Sequence, residues 1–288
     1  FFTAQMMLKQ GNIEEAVWNI EQAIRHDKNS VFLKVELANL LLAREEIEKA
    51  QQVVDQVLSE RPDNLEALLL SGNIHQLNNQ PAKAKATYEK ALKLDPPDQN
   101  FYLILGRLYW NENDLDNAQR VFDRMVSKFP DSYAAYYFKG KVLAAQGKQE
   151  PAEQSFLKSL ALEPSLEEPR YELINLYEIQ NRQKEITRTY QDILIHNPVN
   201  YKAALELAVH YKQSGQVDQA NQLLADLSRR SDQDNLVISA IFENSLENKQ
   251  YESAAWILKT MLQSNPASSD LNYLAGIALD GLEHDQEA

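Results

Sequence analysis

Cysteine is absent from all 288 residues, which removes disulfides, thiolate metal ligands and thiol nucleophiles at once. A cysteine-free chain suits cytoplasm and periplasm alike, so its absence does not place the protein. Basic residues are in short supply too: 29 Lys and Arg stand against 42 Asp and Glu, a net charge of −13. Phosphate backbones are gripped by clustered cations, so a nucleic-acid partner is not expected. A basic or neutral polypeptide suits the charge, as does plain solvation of an acidic surface. No apolar run approaches the roughly 18 residues that span a bilayer, and no basic-then-apolar leader is visible. The chain opens Phe1-Phe2-Thr3 without an initiator Met and reads as a piece of something longer. What remains is an ordinary soluble, folded composition, 44% apolar and 25% charged, rich in Ala, Leu, Gln, Glu and Lys, which favour helix.

The proline positions reveal a period. Six of the ten prolines fall on one ladder, Pro62, Pro96, Pro130, Pro164, Pro198 and Pro266, with steps of 34 residues and one double step across Asp232. Twelve residues before each rung lie Ala16, Ala50, Ala84, Ala118, Ala152, Ala220, Ala254 and Ala288, with Ile186 the exception. Twenty-four before come Ala4, Ala38, Gly72, Gly106, Gly140, Ala208 and Gly276, broken by Ile174 and Phe242. Eight before, every residue is large and apolar: Ile20, Val54, Tyr88, Phe122, Phe156, Tyr190, Leu224, Leu258. The register runs without an insertion.

Each column implies a physical role. Small residues belong where two antiparallel helices cross most closely, and the large column is expected to fill the groove between neighbouring hairpins. Proline and the residue before it end the second helix. Two residues after the rungs, Ser30, Asn64, Asp98, Ser132, Asn200, Asp234 and Ser268 are predicted N-caps of the next helix, with Leu166 departing. Gly11, Asn79, Asn113, Gly147, Asn181 and Gly215 share a column suited to a left-handed helix end.

A 34-residue helix–turn–helix with this spacing resembles the tetratricopeptide repeat family. Leu105-Gly106 with Tyr109, Ala118, Phe122 and Pro130 carries the resemblance best, followed by Ala84, Tyr88, Ala91 and Pro96. It implies an all-α fold, a right-handed α-solenoid of antiparallel hairpins in a single array. The units are a partial repeat over 1–30, full repeats over 31–64, 65–98, 99–132, 133–166, 167–200, 201–234 and 235–268, and a truncated repeat over 269–288. The Gln- and Asn-rich, cysteine-free sequence with degenerate repeats looks bacterial. Two units depart from the pattern. Ile174 and Ile186 predict a hairpin splayed by overpacking, while Phe242 and Ser245 suggest a size swap or an irregular joint.

Little in the sequence points to catalysis or to a cofactor. His26, His75, His196, His210 and His284 form no i,i+4 pair and show no carboxylate at ligand spacing, so no metal is expected; no phosphate loop, nucleophile elbow or zinc motif appears. The resemblance implies that the first helix of each hairpin lines a concave groove that binds extended peptides. Carried onto this chain, one inward column reads Asn39, Asn73, Arg107, Lys141 and Asn175, then Val209 and Glu243. Four residues earlier stand Val35, Leu69, Leu103, Tyr137, Tyr171 and Leu205, and Trp110 shares the face of Arg107. Family members that grip a chain-end carboxylate use Lys followed four residues on by Asn, whereas this chain has Val35–Asn39, Leu69–Asn73 and Tyr171–Asn175. The expected function is a non-catalytic protein-binding scaffold. Its alternatives are the recognition arm of a glycosyltransferase-like enzyme and a scaffold of envelope or polysaccharide-export machinery. Trp18 and Trp256 share an outer column and are either a contact surface or packed against a neighbouring helix.

Overall fold

A computed structural model describes residues 12–231, 235–242, 246 and 249–287. Its regular structure is helical throughout, with sixteen helices among the described residues. The chain divides into two compact units, residues 1–146 and 147–288. In the first, α1 (Ile13–His26) precedes the hairpins α2 (Val31–Ala43)/α3 (Ile47–Glu60), α4 (Leu65–Leu77)/α5 (Pro81–Lys93) and α6 (Asn100–Asn111)/α7 (Leu115–Lys128), followed by α8 (Tyr133–Ala145). In the second, α9 (Gln149–Leu162) precedes α10 (Glu168–Ile179)/α11 (Gln183–His196), α12 (Tyr201–Gln213)/α13 (Val217–Ser231), α14 (Asn235–Ile241), α15 (Tyr251–Ser264) and α16 (Ser269–Glu287).

The residue columns are the packing code. Ala16, Ala50, Ala84, Ala118, Ala152, Ala220 and Ala254 are all 0% exposed, so no larger side chain fits without moving a helix. In two hairpins the ring of the large column also lies over the glycine of its own hairpin, while Phe122 stacks on Phe138 of the next one. A Cβ added at Gly72 would stand 2.4 Å from Tyr88 Cζ, and one at Gly106 2.4 Å from Phe122 Cζ. Glycine is therefore what admits the aromatic ring. Ile174 and Ile186, each 2% exposed, are absorbed into the core where α10 packs on α11. Phe242 is 44% exposed, so it does not replace core volume; α14 stops at Ile241 after 7 residues, and Ser245 lies outside the described residues. The Trp column has two fates: Trp18 is exposed, whereas Trp256 is half-buried beneath the Lys212 ammonium.

One device closes the turns within hairpins. Glu45, Asn79, Asn113, Asn181 and Gly215 adopt left-handed φ, and the N–H of the following residue donates to a carbonyl five residues back at 2.8–2.9 Å. This is the Schellman closure, which satisfies the last carbonyls of the first helix. Gly147 and Lys249 hold the same conformation. Glu45 and Lys249 were not legible from residue type, because neither favours φ above zero. Gly11 lies outside the described residues. Between hairpins, Ser30, Asn64, Ser132, Asn200 and Ser268 cap as expected, each accepting the N–H three residues on. Asp98 does not: helix α6 has Gln99 at its N-cap, and the Asp98 carboxylate accepts the Asn100 N–H at 2.9 Å instead. Asp234 lies outside the described residues.

Two buried cations interrupt otherwise apolar positions. Lys34, 4% exposed, donates to Glu60 at 2.8 Å, and that hydrogen bond holds the Glu60 carboxyl below its ordinary range. Arg170, 2% exposed, donates to Asp192 at 2.6 Å, to the Leu166 carbonyl, and faces His196 Nδ1 at 3.1 Å. Both tie a first helix to the second helix of its own hairpin.

The glycine column gives a matched test. At Gly276 an added Cβ meets nothing within 4 Å. Gly276→Ala should raise stability by about 1 kcal/mol through helix propensity, while Gly106→Ala should lower it through overpacking of about 1–3 kcal/mol. Urea midpoints that move in opposite directions are expected; equal shifts would deny the ring-on-glycine contact its role. Replacing the strained turn residue, Glu45→Gly, should add about 1 kcal/mol in the same assay.

Candidate functional site

The 34-residue period places Arg107 on α6 and Lys141 on α8 at the same position of successive first helices. Trp110 follows Arg107 by three residues and Tyr137 precedes Lys141 by four, so all four side chains share one helical face. They line one cavity of about 350 Å³. Asn111, Phe122 and Phe138 complete its wall and were not anticipated as site residues. Phe122 was legible only as core, yet its ring stacks on Phe138 at 5.5 Å, and Phe138 meets Tyr137 edge-on at 5.1 Å. The Lys141 ammonium lies 5.6 Å from the Trp110 ring centre and 5.7 Å from that of Tyr137. Such cation–π contacts contribute roughly 0.5–1 kcal/mol at exposed sites and hold the charge at the cavity. Arg107 is exposed. In an acid-rich chain, no carboxylate lines this cavity.

A second cavity, of about 860 Å³, is lined by the other end of the same two helices, at Asn100 and Leu103 of α6 and Tyr133 and Ala134 of α8. Pro97, Asp98 and Gln99 of an unusual turn form part of its wall. Helix α5 ends at Lys93 and α6 begins at Asn100, leaving six residues between them, whereas Glu60 to Leu65 and Lys128 to Tyr133 leave four. Asp95 takes a left-handed φ of 52°, and Pro96-Pro97 then stiffen the extra length. Asp95 is anchored by Lys128, whose ammonium lies 2.7 Å from its carboxylate, and by Arg124 at 3.2 Å. The Lys128 hydrogen bond, first among the causes, lowers the Asp95 carboxyl below its ordinary range. Lys128 is thus neutralised, and Asp98 and Asp131 contribute the cavity's two carboxylates.

The remaining predicted residues do not join these cavities. Asn73 is half-buried, and its side-chain oxygen accepts the Tyr88 hydroxyl at 2.7 Å. Burial pushes that hydroxyl up to about 12, although the Gln76 amide it accepts from works the other way. Asn73 therefore has a structural task in its own hairpin. Asn39 is exposed on α2, and of the apolar companions Val35 is buried. In the second unit Asn175 is exposed on α10, while Tyr171 is half-buried with its hydroxyl accepting from Asn200 at 3.1 Å. Burial raises the Tyr171 hydroxyl. Asn200 caps α12 and also donates to Glu167 at 2.6 Å, so Tyr171 is fixed to a helix start. Leu205 is core, Val209 is half-buried, and Glu243 lies outside the described residues.

The histidine reading needs one correction: His196 does have a carboxylate one turn back, with Asp192 at 3.6 Å. That carboxylate also binds Arg170, whose guanidinium faces His196 Nδ1, so the cluster ties α10 to α11. Among the described residues no group of three or more His, Asp or Glu is placed to hold a metal ion. No described helix is long and apolar enough to cross a membrane.

No curated protein matches the chain in sequence. Solved structures do match in fold. The crystal structure of YrrB, a TPR protein with an unusual peptide-binding site, is 21% identical, with a TM-score of 0.54 over 67% of this chain and 97% of that one. PilW, a type IV pilus biogenesis factor, is 21% identical with a TM-score of 0.53, over 73% of this chain and 97% of its own. The C-terminal part of a TPR repeat-containing protein from Cytophaga hutchinsonii is 16% identical with a TM-score of 0.59, over 97% of this chain and 98% of that one. Tetratricopeptide repeat profiles match residues 7–74, 75–141 and 133–166, together more than half of the sequence. Helical hairpins in a 34-residue register, fold relatives and profiles agree: the chain belongs to the tetratricopeptide repeat family.

Proposed function

We propose that this protein is a non-catalytic scaffold that binds an extended segment of a partner protein along the inner face of its first helices. One observation carries the reading: Arg107, Trp110, Tyr137 and Lys141 converge on a cavity in the first unit. A guanidinium in a fixed planar fork suits a peptide carbonyl or a carboxylate. The Trp and Tyr beside it supply rigid apolar area, the composition enriched at energetic centres of interfaces. A volume of about 350 Å³ admits one or two side chains of a ligand. Asn39 in the first unit and Asn175 in the second, each exposed on its own first helix, are further hydrogen-bonding positions of their respective units. Asn73 and Tyr171 act beneath it by bracing the hairpins. The peptide-binding site of YrrB, on a related fold, accords with this use.

Trp110 provides the readout. In a Trp18→Phe/Trp256→Phe background it is the one remaining tryptophan of the three. Short random peptides selected by display on the chain should shift its fluorescence on titration. Arg107→Ala/Lys141→Ala should weaken them at least tenfold, about 1.4 kcal/mol, with helical circular dichroism unchanged. Selected peptides that neither perturb Trp110 nor notice the double variant would refute the site.

A further inference from the structure

Resting on that scaffold reading, we infer that the groove between α6 and α8 is electrically polarised and selects partner segments carrying one basic and one acidic residue about three to four positions apart. The two cavities are lined by the same pair of helices, one at their N-terminal ends and one further along. Leu103 and Arg107 lie one turn apart on α6, as do Tyr133 and Tyr137 on α8. Their polar linings are opposite in sign. The N-terminal cavity has the carboxylates of Asp98 and Asp131, and its lone lining cation, Lys128, is held by Asp95 at 2.7 Å. The other has Arg107 and Lys141 and no acid.

An aromatic ring lines each cavity, Phe129 at the C-cap of α7 in the first and Phe122 within α7 in the second, so apolar surface accompanies the charges throughout. A helix rises 1.5 Å per residue, which separates Asn100 from Arg107 by about 10 Å; the carboxylates sit at or just beyond that end. An extended peptide advances about 3.3 Å per residue, so three to four residues bridge the two charges. Two like charges on a ligand would place one of them against its own sign, which disfavours uniformly acidic or uniformly basic segments. The wide turn has a part here, since its Pro97, Asp98 and Gln99 line the acidic end.

The test uses the peptides selected on the intact chain. Most should carry Lys or Arg three to four positions from Asp or Glu, with an apolar residue between. The groove variant is Asp98→Asn/Asp131→Lys; asparagine keeps the acceptor for the Asn100 N–H, so α6 starts unchanged. Repeating the selection on this variant should retain the acidic residue and lose the basic one. Peptides from the first selection should bind it at least tenfold more weakly, with the loss shrinking as salt rises. Binders that shift Trp110 fluorescence yet show no paired charges, or an unaltered preference on the variant, would overturn the polarised groove while leaving the scaffold intact. A chain that selects no peptide at all overturns both.

Discussion

A ring of the second helix lying on a side-chain-free patch of the first is the contact on which the α4/α5 and α6/α7 hairpins depend. Tyr88 over Gly72 and Phe122 over Gly106 fix the separation and rotation of their helices. The fully buried alanines, Ala84 and Ala118, hold the same helices at the crossing. Once this geometry is set, the turn between the helices is set as well, and left-handed closure at Asn79 and Asn113 follows from the need to reverse the chain in so few residues. The Tyr88 hydroxyl then reaches Asn73, one residue beyond the glycine, so the same contact that builds the hairpin also orients an inner-face amide. Coupling in such arrays runs chiefly between neighbours, which lets each hairpin vary without disturbing distant ones.

Most of the fold was legible because its determinants are periodic. Small, large, proline and capping columns recur every 34 residues, and the buried alanines and caps at Ser30, Asn64, Ser132, Asn200 and Ser268 sit where that period places them. What was not legible depends on which partner a group meets. Lys34 and Arg170 occupy apolar positions and look like errors until Glu60 and Asp192 are seen beside them. Glu45 adopts a glycine-like conformation because its neighbours close the turn around it. Asp98 has the type and place of an N-cap, but the longer turn after Asp95 shifts the helix start by one residue.

The site shows the same division. Arg107, Trp110, Tyr137 and Lys141 were placed on one face by the family resemblance together with helix geometry, and they line one cavity. Within the donor column the Asn73 oxygen accepts the Tyr88 hydroxyl, and in the companion column the Tyr171 hydroxyl accepts from Asn200. Phe138 and Asn111 escaped notice because no column marks them. Period identifies where a side chain stands; the occupancy of its polar atoms is a property of pairs.

The wide turn at Asp95–Pro97 adds two residues between helices without adding any to the repeat. Helix α5 is one residue shorter than α3 or α7, and α6 starts one residue late. The extra length is borrowed from both flanks, so every column downstream keeps its phase. A repeat array can in this way acquire a locally distinct recess by substitution alone, with neither insertion nor deletion. Individuality along such a chain then accumulates one residue at a time, at turns, while the helices that flank them keep a common meter.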